Sequence, residues 1–157
     1  MFEKNNILEE LNHLVKLSKK SQIELENKSN KFVNNILNQI SSKILEKKIN
    51  YSLSALAVKE TKFGNIDDKI KKNYNKTKNL LHDLNEIDLF KPFYNKSKNI
   101  YEIYKPIGII CGVTPSTNPI ATSLNYILNS LKGRNSIIIC PNPRSYSTVS
   151  KLIQIIK

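Results

Sequence analysis

Residues 104–144, YKPIGIICGVTPSTNPIATSLNYILNSLKGRNSIIICPNPR, decide the fold of this 157-residue chain. An apolar run over 107–113 ends in Thr114-Pro115-Ser116-Thr117-Asn118-Pro119. A segment with helical spacing follows, and a second apolar run, Ile137-Ile138-Ile139, ends in Pro141-Asn142-Pro143. The pattern predicts a strand, a helix and a second strand, with a proline-punctuated turn after each strand. In an open parallel sheet such turns fall at the carboxyl ends of the strands, where ligands bind. The sequence stops shortly after this unit, which implies an incomplete sheet.

Outward from this stretch, the segment before it loses regular spacing. Residues 100–104 alternate until Pro106 breaks them, which suits an edge strand or an excursion from the main sheet. The run 107–113, apolar apart from two glycines, reads as a strand buried on both faces. The helix over 120–131 is expected to bury Leu124, Ile127, Leu128 and Leu131 and to end at Gly133. A strand over 136–140 and a helix over 146–156 complete a βαβ unit with its following helix. Toward the amino terminus the chain is helical. Ile7, Leu8, Leu11, Leu14 and Val15 fall at helical spacing, as do Phe32, Val33, Ile36, Leu37, Ile40, Ile44 and Leu45. A third helix over 52–63 stops at Gly64, and a fourth, over 67–84, opens on an acidic pair that suits the positive end of a helix dipole. Residues 85–99, which contain Pro92, read as a connection.

Composition bounds the function classes. A hydrophobic content of 39% and a charged content of 24% are those of an ordinary globular domain. No apolar stretch reaches the length of a membrane helix, and the opening residues, MFEKNNILEELNHL, do not form a basic leader followed by an apolar segment. A cytoplasmic protein is expected, with no membrane partner. The net charge of +12 raises a nucleic-acid reading. Only Arg134 and Arg144 of the 25 basic residues are Arg, and Asn and Ile are also heavily used. All three abundant residue types have AT-rich codons, and the lysines are spread over every segment with no Arg and aromatic cluster. A solvated basic surface is therefore preferred over a nucleic-acid groove. One asymmetry survives: no Asp or Glu follows Glu102, so residues 103–157 suit an anionic ligand.

The turn at 114–119 is where chemistry is expected. Asn118-Pro119 is a helix-start signature, with Asn as N-cap and Pro at the first helical position. An amide can accept a backbone N–H bond through its oxygen while its NH₂ group donates toward a developing oxyanion. Thr114, Ser116 and Thr117 place hydroxyls beside the same helix terminus, a plausible seat for a carbonyl or phosphate. The standard phosphate-binding fingerprints are absent. Cys111 and Cys140 lack metal spacing and make no disulfide framework. Cys111, mid-strand, reads as a packing residue, and Cys140, closing the next strand near Arg144, as packing or ligand lining with no general base beside it. His13 and His82 read as surface or half-buried helix residues.

At these residues the sequence resembles a known group. KPIGIICGVTPSTNPIATSLNYILNSLKGRNSIIICPNPRS closely resembles the amino-terminal part of the coenzyme-A-acylating aldehyde dehydrogenases. AVKETKFGNIDDKIKKN, residues 57–73, resembles the A-V-x-E-T-x-x-G-x-x-x-D-K-x-x-K-N segment of that group. Two motifs in the correct order carry the resemblance from about residue 51 onward. It implies an α/β fold in which residues 1–99 are the helical amino-terminal part of a nucleotide-binding domain. Residues 100–157 would then be the first strands and helices of its incomplete Rossmann-like core. It implies the reaction of an aldehyde with coenzyme A and NAD, or NADP, to give an acyl coenzyme A and the reduced nucleotide. The cofactor-contacting turn would be Val113, Thr114, Pro115, Ser116, Thr117 and Asn118, with the Asn118 amide stabilising the thiohemiacetal oxyanion. Pro141, Asn142, Pro143 and Arg144 would line the adenosine side. Cys140 and Pro143 stand where hydrolytic relatives offer Lys and Glu to the ribose, which favours acylating chemistry. Neither cysteine matches the family nucleophile, and no metal is implied. The resemblance thus predicts a truncated or split reading frame. Such a chain would be inactive alone and would act through a complementing carboxy-terminal fragment or a homo-oligomer, or serve as a non-enzymatic assembly module.

Overall fold

The computed structural model describes residues 2–157, with side chains from Asn6 onward, so the first residues of the opening segment lie outside the described side chains. Four helices come first: α1 (Phe2–Glu26), α2 (Asn30–Leu45), α3 (Lys47–Thr61) and α4 (Ile66–Glu86). A short hairpin of β1 (Phe93–Asn95) and β2 (Ile100–Glu102) follows. Then come β3 (Ile109–Thr114), α5 (Pro119–Lys132), β4 (Ser136–Pro141), one 3-10 turn over Pro143–Ser145, and α6 (Tyr146–Ile156). The chain is an α/β fold with helices first and a small parallel sheet after them.

The helix ends follow from local chemistry. Ser29 Oγ accepts from Phe32 N and opens α2, and Asn65 Oδ1 accepts from Asp68 N at 2.9 Å and opens α4. α3 starts at Lys47, earlier than the spacing suggested, and ends at Thr61 rather than at Gly64. Its C-cap is Lys62, left-handed at φ 60°, while Thr61 Oγ1 accepts from Phe63 N. Gly64 then serves the following turn at φ 70°.

The core is built on α5. Ile120 and Leu124 join Ile44, Leu53, Ala57 and Leu152 in one buried cluster, and Leu128 joins Val33, Leu37 and Leu84 in a second. Residues 120, 124 and 128 repeat at four, so one stripe of α5 packs against α2, α3, α4 and α6. Each fully buried leucine contributes about 1.5–3 kcal/mol through burial.

β3 and β4 pair in parallel, from Ile109 beside Ser136 to Thr114 beside Pro141, with α5 as the crossover. The expectation that the first strand is buried on both faces is corrected. Ile110, Gly112 and Thr114 turn toward the helices, but Cys111 is exposed and Val113 is 70% exposed. The uniform apolar run reflects a two-sided strand, yet only one face is covered among the described residues. The packing reading of Cys111 falls for the same reason, since Cys111 is exposed; Cys140, read as packing or ligand lining, is exposed as well. α1 forms the expected helix, and the residues that gave its spacing, Ile7, Leu8, Leu11, Leu14 and Val15, are exposed. The stretch 85–99 is not a plain connection either, because β1 lies within it and pairs with β2 in antiparallel register, Tyr94 opposite Tyr101. The hairpin forms a sheet of its own, which makes residues 100–104 an excursion.

Candidate functional site

The parallel register sets the two proline turns side by side. Asn142 N donates to Thr114 O at 3.1 Å, extending the sheet by one bond into the turns. Each strand therefore delivers the chain into a helix whose free backbone N–H groups face the same end of the sheet. Two helix N-termini are in principle two anion sites.

One of them is already filled. Glu60, near the end of α3, reaches the first turn of α6. Its Oε1 accepts from Ser147 N at 2.7 Å, and its Oε2 accepts from Thr148 N at 2.9 Å and from Thr148 Oγ1 at 2.7 Å. Burial works to raise the Glu60 pKa, but the bonds from Thr148 and Ser147 outweigh it and hold the carboxyl below its usual value. The chain supplies its own anion to α6, and an external ligand is left with the start of α5.

That start is organised by α4. Asn118 stands at the N-cap position, with φ −135° and ψ 60°, and its backbone oxygen accepts from Thr122 N at 3.1 Å. Its side chain does not cap the helix, contrary to the expectation from Asn-Pro. Instead Asn118 Oδ1 accepts from Lys72 Nζ at 3.1 Å. An ammonium has donors only, so the atom facing it must be the amide oxygen, and the NH₂ end points elsewhere. The backbone departs from the extended geometry of a side-chain N-cap, and the cation takes the oxygen that the helix would otherwise use. One turn earlier on α4, the buried Lys69 donates through Nζ to Thr117 O at 3.0 Å. Desolvation, aided by the charge on Lys72, lowers the Lys69 pKa.

The other predicted residues divide. Thr114 is 1% exposed, and its Oγ1 has no hydrogen-bond partner, a buried hydroxyl directly before the turn. Pro115 and Thr117 are exposed, and Ser116 is half-buried. Asn142 Oδ1 accepts from Arg144 N at 2.9 Å and so caps the short 3-10 turn, while Pro143 and Arg144 are exposed. Two grooves flank Asn118. One runs toward Ala121, Thr122 and Asn125 along α5, the other toward Phe63, Gly64 and Lys69. Neither groove is lined by Pro141, Asn142, Pro143 or Arg144. His13 is exposed, and His82 Nε2 lies 3.5 Å from Glu86 on one face of α4, away from the turns. Among the described residues no cluster of His, Cys, Asp or Glu could hold a metal ion, and no helix is long and apolar enough to cross a membrane.

Glu60, Lys69 and Lys72 were not singled out from spacing, although all three lie in the 57–73 motif. The structure gives each a partner in the carboxy-terminal part of the chain: Glu60 with Ser147 and Thr148 of α6, Lys69 with Thr117 and Lys72 with Asn118. Asn73 completes the motif with donations from Nδ2 to Asn50 Oδ1 at 3.0 Å and to Ser54 Oγ at 3.2 Å. The signal available in the sequence was the three-residue step from Lys69 to Lys72, which puts both ammonium groups on one side of α4.

Comparison with known proteins gives the same direction. No family model matches the chain. An acylating sulfoacetaldehyde dehydrogenase of Cupriavidus necator is 41% identical over 114 residues, 72% of this chain and 23% of that protein. The bifunctional aldehyde-alcohol dehydrogenase of Escherichia coli is 35% identical over 156 residues, 94% of this chain and 16% of the relative. The crystal structure of an acetylating aldehyde dehydrogenase from Geobacillus thermoglucosidasius superimposes with a TM-score of 0.86 at 27% identity, over 94% of this chain and 32% of that one. The chain thus spans less than a third of the length of each of these three proteins.

Proposed function

Because its homologues are acylating aldehyde dehydrogenases, we propose that this chain is the amino-terminal part of the nucleotide-binding domain of such an enzyme. Residues 1–99 form its helical portion and residues 100–157 the first part of its Rossmann-like core. The complete enzyme would convert an aldehyde, coenzyme A and NAD to an acyl coenzyme A and NADH. The single observation that carries the assignment of the site is the difference between the two helix N-termini. α6 is closed by Glu60, whereas α5 is open and flanked by Lys69 and Lys72.

The residues present fit a dinucleotide. Thr114 offers a buried, unpartnered hydroxyl, and the α5 terminus offers backbone donors with no acidic side chain after Glu102 to repel phosphate. Val113, Thr114, Pro115, Ser116, Thr117 and Asn118 would hold one part of the nucleotide, and Pro141, Asn142, Pro143 and Arg144 the adenosine side. When bound, NAD, or NADP in its place, supplies the hydride acceptor. The Asn118 amide, its oxygen held by Lys72, would present N–H donors to the oxyanion that develops on the former aldehyde oxygen. The nucleophilic thiol is expected outside residues 1–157, so turnover requires residues beyond these.

The test is an amide-resolved NMR titration of the chain with NAD. Shifts confined to residues 113–118 and 142–144 support the assignment, and shifts confined to the start of α6 sink it. A second reading, an assembly module without catalysis, is favoured by the exposed apolar positions Val113 on β3 and Ile7, Leu8 and Leu11 on α1. It predicts packing onto a full-length relative with no shift on adding nucleotide.

A further inference from the structure

We propose that Cys111 and Cys140 form a paired-thiol site that closes to an intrachain disulfide by exchange with a low-molecular-weight disulfide. The parallel register pairs Cys111 with Ile138 and Val113 with Cys140, so the two cysteines are diagonal neighbours on adjacent strands. They share the face turned away from α5. A side chain at the intervening Gly112 would instead point into Ile137, Ile139 and Tyr126 on the helix side. The two Sγ atoms lie 3.5 Å apart, and both residues are exposed. The hydrogen bond to Cys111, followed by partial burial, raises the pKa of the Cys140 thiol, as expected of two sulfurs sharing a proton.

An S–S bond of about 2.05 Å needs the sulfurs to close by roughly 1.5 Å, and diagonal cross-strand neighbours sit about 7–8 Å apart, so closure draws β3 and β4 together as well as rotating χ1. The exchange balances. One cysteine, as thiolate, attacks the external disulfide, and the first small thiol leaves from a mixed disulfide. The second cysteine then gives up its proton and attacks the protein sulfur of that mixed disulfide, releasing the second small thiol. Two cysteine thiols are oxidised to one disulfide, and the external disulfide is reduced to two thiols that carry the protons. The bond would tie β3 to β4 immediately before the paired turns at Thr114 and Pro141. It would close a loop between positions 29 apart, large enough for cross-linking to restrict the unfolded chain appreciably.

The experiment is intact-mass analysis of the chain after incubation with oxidised glutathione, alongside Cys111→Ser and Cys140→Ser. The wild-type chain should lose two hydrogens and keep no glutathione, while each variant should stop as a single mixed disulfide. A separate measurement uses phenylarsine oxide, which condenses with two adjacent thiols. One equivalent should bind the wild-type chain in a form resistant to excess monothiol, and none should bind either variant in that form. A wild-type chain that accumulates two glutathione adducts, does not react, or binds the arsenical no better than the variants overturns the proposal.

Discussion

Lys72 Nζ lies 3.1 Å from Asn118 Oδ1, joining α4 to the N-cap of α5 across 46 residues of sequence. The bond fixes which end of the Asn118 amide faces outward, and it does so with a charge from a different helix. Replacing Lys72 by Met keeps the aliphatic length and removes the donor. The amide is then free to turn its oxygen toward the backbone N–H groups of α5, as an ordinary N-cap does. Under the proposed function, Lys72→Met should weaken NAD binding by up to about tenfold, the equivalent of one exposed hydrogen bond. Lys72→Arg should recover most of the loss. The Asn118 side-chain NH₂ resonances report the orientation directly, and an unchanged signal in Lys72→Met would remove the positioning role.

Glu60 should make stability depend on pH. Its folded pKa is lower than its unfolded one, so its contribution is present above the unfolded carboxyl value. It disappears as the pH falls through the folded value. Glu60→Gln keeps the shape but aims an NH₂ group at backbone donors, at a cost of about 1–3 kcal/mol at neutral pH. Denaturant midpoints of wild type and variant should converge in acid. Parallel curves across the whole carboxyl range would show that the carboxylate charge is not what holds α6.

Much of this architecture is legible in the sequence because it rests on periodicity. The stripe Ile120, Leu124 and Leu128 and the helix from Tyr146 to Ile156 follow from repeats that only one burial geometry explains. What escapes is of two kinds. Exposure of Cys111, Val113 and the α1 stripe depends on which neighbours are present, and an apolar residue looks the same whether or not its partner is there. The contacts of Glu60, Lys69 and Lys72 are polar and span 46 to 88 residues, so no local rule announces them. β1 escapes as well, because its three residues are too short for alternation to register, although its partner β2 lies within the alternating stretch 100–104.

Gly108 is a position where a side chain strains the backbone without meeting a neighbour. Its φ is +125°, a conformation that L residues rarely adopt. Its N–H donates to Asn135 Oδ1 at 2.8 Å, while its oxygen accepts from Ser136 N at 3.0 Å. A Cβ there would find open space apart from Lys19 Nζ at 3.9 Å, so the penalty in Gly108→Ala is backbone strain alone. It should cost about 1–3 kcal/mol in chemical denaturation. A neutral result would mean that the strand entry adopts an ordinary φ in solution.

Asn73 anchors a buried amide network whose members should not behave independently. Its Nδ2 donates to Asn50 Oδ1 and Ser54 Oγ, and Asn50 Nδ2 donates to Ile70 O at 3.2 Å, so α3 and α4 are joined through three side chains, Asn50, Ser54 and Asn73, each at most 3% exposed. Removing Asn73 leaves the Asn50 oxygen buried with only the weak 3.4 Å donation from Ser54 Oγ. A poorly satisfied buried acceptor costs about 1–3 kcal/mol. Asn73→Ala should therefore destabilise by that amount, and so should Asn50→Ala. Once either partner is gone, removing the other costs less, because the orphaned group goes with it. The double variant should fall short of the sum by about 0.5–3 kcal/mol in a denaturant-based cycle. Strict additivity would mean that water already satisfies these groups and that the network contributes packing alone.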